Sequence, residues 1–241
     1  MVELDKWESR LRPFFESQLR IIGEIPISES DLDELAEAVK KFLDACPSFS
    51  RGTQMLIKHH PFVFLTLLAH FSAHNDQAGY WEALQEKVGA DQDLHNSRWH
   101  EHFVNLAQKH ELRTFSEADT LNFYVATIRF HGGIPTYSLP DFFDRMVVPA
   151  VEDKNLREIA PKDALADLLK HVQFVDRPVL DFLKNSGEMG LTWFESCCKL
   201  VRHARKNHGE VLPRAQVPEH PYNIFSFFEH YNEGLQNRGF H

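Results

Sequence analysis

Histidine is the residue type that most clearly offers chemistry in this chain, which has 15 histidines among 241 residues. His70 and His74 are four residues apart, and this spacing lets two imidazoles on one helix face share a metal ion. Other possible ligands flank this pair. One prediction is therefore a metal-dependent hydrolase whose candidate ligands are His59, His60, His70, His74 and Asp76.

The sequence around these histidines lacks the known metal-site motifs. It has no HExxH, no CxxC and no His-Asp dipeptide. His70 also lies in the most apolar window, where an imidazole is usually a core residue with one hydrogen bond to the backbone. His100 and His102 are further candidate ligands for the same metal site. We keep the hydrolase as the alternative, favour a non-enzymatic protein, and expect no metal and no cofactor.

The segment His131-Gly132-Gly133 is the most unusual local sequence. Paired glycines can present backbone amides to an oxyanion, but that chemistry needs a GxSxG nucleophile turn, which the chain lacks. A helix end explains the segment better, with a histidine in the last turn, a glycine at positive φ and Pro135 beyond. The alternative is a loop in which His131, Gly132 and Gly133 contact a ligand or partner.

Other catalytic signals are weak. The three cysteines cannot form a disulfide framework, and Cys197 and Cys198 lie inside a predicted helix beside aromatic residues, so we expect small, inert core side chains. The chain contains neither GxxxxGK[ST] nor GxGxxG, the standard nucleotide-binding loops.

A basic segment stands out from an acidic chain. The net charge is −9, which disfavours binding of nucleic acid by the protein as a whole. Between residues 199 and 214, however, five Lys or Arg residues face a single acid. One interpretation is a solvated helix end, since cations are favoured there. The other is a contact with an anion, a nucleic acid or an acidic protein, made by Lys199, Arg202, Arg205 and Lys206.

Most of the chain shows the periodicity of helices, and the predicted helices carry the candidate residues described above. Apolar residues recur at spacings of three and four, and no segment alternates like a strand. We expect a kink or restart at Pro13, and a helix that starts near Ser30. The apolar window from Pro61 to Ala73 is too short for the roughly 20 residues of a membrane span, so it predicts a buried helix.

The sequence therefore predicts an all-α protein of about ten or eleven helices in a compact array, for which a faint internal repeat makes a solenoid one option. The polar stretch 152–161 is the best internal boundary, which gives an N-terminal half at 1–151 and a C-terminal half at 162–241. An aromatic-rich helix over 222–236 must pack on the core or on a partner.

Taken together, these features favour a helical scaffold or adaptor, an accessory subunit or module of a larger assembly. We expect it in the cytoplasm, because the N-terminus lacks the pattern of a signal peptide and the cysteines suit a reducing compartment. A protein partner is expected, nucleic acid is the other candidate, and a membrane is not.

Overall fold

The computed structural model describes residues 2–17, 19–74, 79–89, 95–115, 123–134, 138, 142–171 and 177–206. Every regular element in these ranges is helical, which confirms the all-α prediction. The ranges contain twelve α-helices, close to the number expected. The chain divides into two compact units, residues 1–133 and residues 134–241.

The described residues of the first unit form seven α-helices and one 3-10 turn, Ile22–Glu24. The helices are α1 (Val2–Glu16), α2 (Glu29–Asp44), α3 (Phe49–His59), α4 (Pro61–His74), α5 (Tyr80–Val88), α6 (Asn96–Lys109) and α7 (Phe123–Gly132). Helix α4 is the centre of this unit, because α1, α2, α3, α6 and α7 all pack against it.

The sequence of α4 explains its central place. Eleven of its 14 residues are buried, and they lie on every side of the helix. A helix that is apolar all round must be enclosed by others, so the prediction of a buried helix over this window is confirmed. Among the described residues, no helix combines the length and the apolar character that crossing a bilayer requires.

Two local expectations change in the first unit, and one helix, α3, was not predicted. Helix α1 continues through Pro13 without a restart, since only its last turn follows the proline. Helix α2 starts earlier than Ser30, because Ser28 and Asp31 exchange hydrogen bonds at 3.1 Å as a capping box. Helix α3 follows Ser48, where Ser, Pro and Gly residues resemble a loop, and Gly52 packs closely on α2.

The second unit contains a π-helical turn, Phe143–Val147, and five α-helices. These are α8 (Val148–Glu152), α9 (Lys154–Glu158), α10 (Pro161–His171), α11 (Arg177–Asn185) and α12 (Glu188–Lys206). The rings of Phe142 and Phe182 lie 4.5 and 6.4 Å from Trp193 of α12 and form the core of this unit. The expected terminal helix over 222–236 lies outside the described residues.

The division between the units lies earlier than the predicted linker. Unit 1 ends at Gly133, where α7 is capped, whereas residues 152–161 hold the short helix α9 within unit 2. None of the residues of α9 is buried. The polar composition of this stretch therefore reflects an exposed helix of the second unit.

Candidate functional site

His70 is a residue of the protein core. Its side chain is 5% exposed, and Nε2 lies 3.2 Å from the carbonyl oxygen of Ile22, to which it donates a hydrogen bond. Burial lowers the pKa of His70 to about 4, so the imidazole is neutral at physiological pH. The interpretation as a core histidine bonded to the backbone is confirmed.

The candidate ligands do not gather into a metal site in the described part of the chain. His59 and His74 are exposed at the ends of α3 and α4, while His60 is buried with Nδ1 4.0 Å from the Asp5 carboxylate. Asp76 lies outside the described residues. Within the part of the chain that the structure describes, no three His, Cys, Asp or Glu side chains are placed to hold a metal ion.

His100 and His102, the second pair of candidate ligands, lie in different environments. His100 is buried in the core of unit 1, and burial lowers its pKa. His102 is half-buried and lines a surface groove between α3 and α6. Residues two apart on a helix do not face each other, so the pair cannot chelate one ion.

The glycine pair ends α7, as a helix cap requires. Gly133 has φ of 82°, and its amide donates to the carbonyl oxygens of Arg129 and Phe130 at 3.0 and 3.1 Å. Gly132 has another role, because a Cβ there would collide with the Ala69 carbonyl and the Ser72 hydroxyl of α4. The predicted cap is confirmed, and the second glycine permits close packing of α7 on α4.

His131 is enclosed in unit 1. Its Nε2 lies 2.8 Å from the carbonyl oxygen of Arg113, and aromatic rings of Phe103 and Phe130 pack around it. Nδ1 is buried without a hydrogen-bond partner, and burial lowers the pKa of His131 to about 4. The imidazole therefore packs inside the core at the last turn of α7 and is not accessible to a ligand.

The cysteine pair is buried in α12. Both thiols are free, and burial raises the pKa of Cys198 to about 12 and that of Cys197 well above its usual range. A thiol held protonated in this way is a poor nucleophile. The prediction of inert core cysteines is confirmed.

The basic segment is placed on the C-terminal half of α12. Lys199 is 69% exposed at its side chain and Arg202 is exposed, while Cys197 and Val201 of the same turns are buried. Arg205 and Lys206 lie on the last turn of the same helix, and their side chains are outside the described part. By helical spacing, Lys199, Arg202 and Lys206 share one face.

Sequence reasoning missed one buried charge. Glu8 of α1 is buried, and Oε2 accepts hydrogen bonds from the backbone amides of Phe62 and Val63, both at 3.1 Å. Glu8 thus caps the N-terminus of α4 from another helix. A negative charge is favoured there by the helix dipole, yet the partner is 54 residues away in sequence, so no local pattern signals it.

The described part of the chain buries six of the candidate side chains, those of His60, His70, His100, His131, Cys197 and Cys198. It leaves His59, His74, Lys199 and Arg202 exposed, and the groove beside His102 is open at the surface. Comparisons of the chain with protein-family models, with curated proteins and with solved structures find no match.

Proposed function

We propose that this protein is a non-enzymatic helical interaction module of the cytoplasm, which binds an acidic partner protein through the basic face of α12. We define this basic face as Lys199, Arg202, Arg205 and Lys206. The observation that carries the proposal is the division of α12 into two sides. Trp193, Phe194 and Val201 are buried, whereas Lys199 and Arg202 are exposed.

The exposed cations are available to a partner. Among the described residues Lys199 pairs only with Glu195, four residues earlier, at an N···O distance of 3.9 Å. A surface pair of this kind contributes at most about 1 kcal/mol, so a carboxylate of a partner can replace it. Arg202 follows Lys199 by three residues and extends the same surface.

An acidic protein fits this surface better than nucleic acid. The basic face offers four cations, whereas proteins that bind DNA often make roughly 6–10 phosphate contacts. The remaining charge of the chain is strongly negative and repels a long polyanion. A partner with a short row of carboxylates would pair with α12 and avoid this repulsion.

The origin of the perturbed pKa values favours an interaction module over an enzyme. The histidines and cysteines with the most perturbed pKa values, His70, His131 and Cys197, owe their shifts to burial in a core and not to a cleft. Perturbed groups that mark an active site lie instead in a cleft that a substrate can reach. The free state of all three cysteines is compatible with the cytoplasm.

The test is the reversal of charge on the basic face. We expect the triple variant R202E/R205E/K206E to lose its partner while keeping the helical circular dichroism and the melting temperature of the natural protein. Proteins retained from a nuclease-treated extract of the native host would be quantified by mass spectrometry for both forms. The matched control is K154E/R157E/K162E, which reverses three exposed cations on α9 and α10 of the same unit.

Three results would contradict the proposal. Partner binding that survives the triple change would exclude the basic face. Equal loss in the control variant would show that net charge alone is responsible. Binding that disappears on nuclease treatment would assign the surface to nucleic acid.

A further inference from the structure

A donor-rich groove lies between α3 and α6 of the first unit, apart from every residue used above except His102. Its volume is about 290 Å³. One wall is formed by His95, the residue before α6, and by Arg98 and His102 of α6, which are four residues apart and so share one helix face. Arg98 is exposed and forms no ion pair with any described residue.

The opposite wall is the first turns of α3. Ser50 and Thr53 both line the groove there. Thr53 is only 6% exposed, and its hydroxyl oxygen is buried with no hydrogen-bond partner among the described residues. The Ser48 side chain accepts from the amide of Arg51. The amides of Phe49 and Ser50 begin α3 and therefore have no acceptor within the helix.

We propose that this groove binds the phosphate group of a small phosphorylated molecule. Arg98 supplies the fixed positive charge, and His95, His102 and the hydroxyls of Ser50 and Thr53 donate to the phosphate oxygens. The N-terminus of α3 adds the favourable end of its dipole. A tetrahedral anion suits donors that approach from two helices, and it gives the buried Thr53 hydroxyl the acceptor that it lacks.

Size and charge both restrict the ligand to a small molecule. A groove of about 290 Å³ lies at the lower end of the range for small-molecule sites. Glu101 also lines it and offsets part of the positive charge, which disfavours a polyanion. Phe49 is half-buried at the edge and offers an apolar contact to the remainder of the ligand.

The experiment is a titration of the full chain with inorganic phosphate, followed by two-dimensional amide NMR. We expect saturable shifts confined to the first turns of α3 and α6. Arg98→Ala is expected to weaken binding by about tenfold or more, because it removes a charge-assisted contact. The matched control is Arg51→Ala, which removes an exposed arginine from α3 that does not line the groove.

A second variant separates binding from stability. Ser50→Glu places a carboxylate at the mouth of the groove, yet a carboxylate in the first turn of a helix is favoured by the dipole. We expect phosphate binding to be lost while the melting temperature is retained or rises. The proposal is wrong if phosphate causes no saturable shifts, if Arg98→Ala and Arg51→Ala weaken binding equally, or if Ser50→Glu binds phosphate like the natural protein.

Discussion

Glu8 and Phe62 are joined by a hydrogen bond of 3.1 Å that connects the first helix to the start of the central one. The same carboxylate oxygen also accepts from the amide of Val63 at 3.1 Å. The first turn of a helix has amides without internal partners, and here the partner is a side chain from a distant helix. The core of unit 1 thus contains the carboxylate of Glu8, held by the backbone that it caps.

Removal of this cap is expected to destabilise the first unit. Glu8→Ala leaves the two amides of α4 buried without an acceptor, which predicts a loss of about 2–3 kcal/mol in the free energy of unfolding. Urea denaturation followed by circular dichroism measures it. Glu3→Ala, an exposed acid on the same helix, is the control and is expected to change stability by less than about 0.5 kcal/mol. Equal stability of the two variants would contradict the capping role.

Acid is expected to destabilise unit 1 through its buried imidazoles. The pKa of His70 and that of His131 are lowered from 6.5 to about 4, so between these values the unfolded chain binds protons that the folded chain does not. The free energy of unfolding therefore falls as pH falls from 6.5, by up to roughly 1.4 kcal/mol per pH unit for each histidine. Burial raises the pKa of Glu8, which opposes this trend at the acidic end.

The measurement for this prediction is the urea unfolding free energy at several pH values between 7 and 4.5. His131→Phe is expected to reduce the slope, because one buried imidazole no longer titrates on unfolding. Gln54→Ala changes an exposed side chain that carries no titratable group and should leave the slope as it is. A slope that is unchanged in His131→Phe would show that His131 binds its proton equally in the folded and the unfolded chain, which contradicts the prediction.

The approach of α7 to α4 depends on Gly132. Gly132→Ala would drive a methyl group into the Ala69 carbonyl, and backbone cannot move aside as a side chain can. We expect a loss of about 1–3 kcal/mol, the usual cost of overpacking. In the control Gly52→Ala the new methyl group meets side-chain atoms at 3.0–3.3 Å and gains helix propensity, so the loss should be smaller. The melting temperatures of the two variants test whether Gly132→Ala loses more stability than Gly52→Ala.

The metal hypothesis has its own test. We expect elemental analysis by mass spectrometry to find no stoichiometric zinc, manganese or iron in the purified protein. His70→Ala should lower stability by about 1–3 kcal/mol, through the lost hydrogen bond to Ile22, and leave the metal content unchanged. Near-stoichiometric metal that His70→Ala removes would establish the alternative hydrolase and overturn the core assignment.

Features that depend on neighbours in sequence could be predicted from the residues alone. The apolar window before His74 required a buried helix, and the glycine at 133 required a helix end, because burial of a continuous apolar segment and positive φ are local demands. Cys197 and Cys198 were placed in a core by their aromatic neighbours in the same way.

Features that depend on distant parts of the chain required the folded structure. His70 and His74 have the spacing of a metal pair, but α4 is enclosed on all sides, so one imidazole bonds to Ile22 and the other reaches the surface. The ion pair between Asp31 of α2 and Arg10 of α1 likewise joins residues that are 21 positions apart. The carboxylate of Glu8 accepts a hydrogen bond from the amide of Phe62, which is 54 residues away in the sequence. Periodicity shows which faces are apolar, whereas the partner of a buried polar group follows from packing between helices that are remote in sequence.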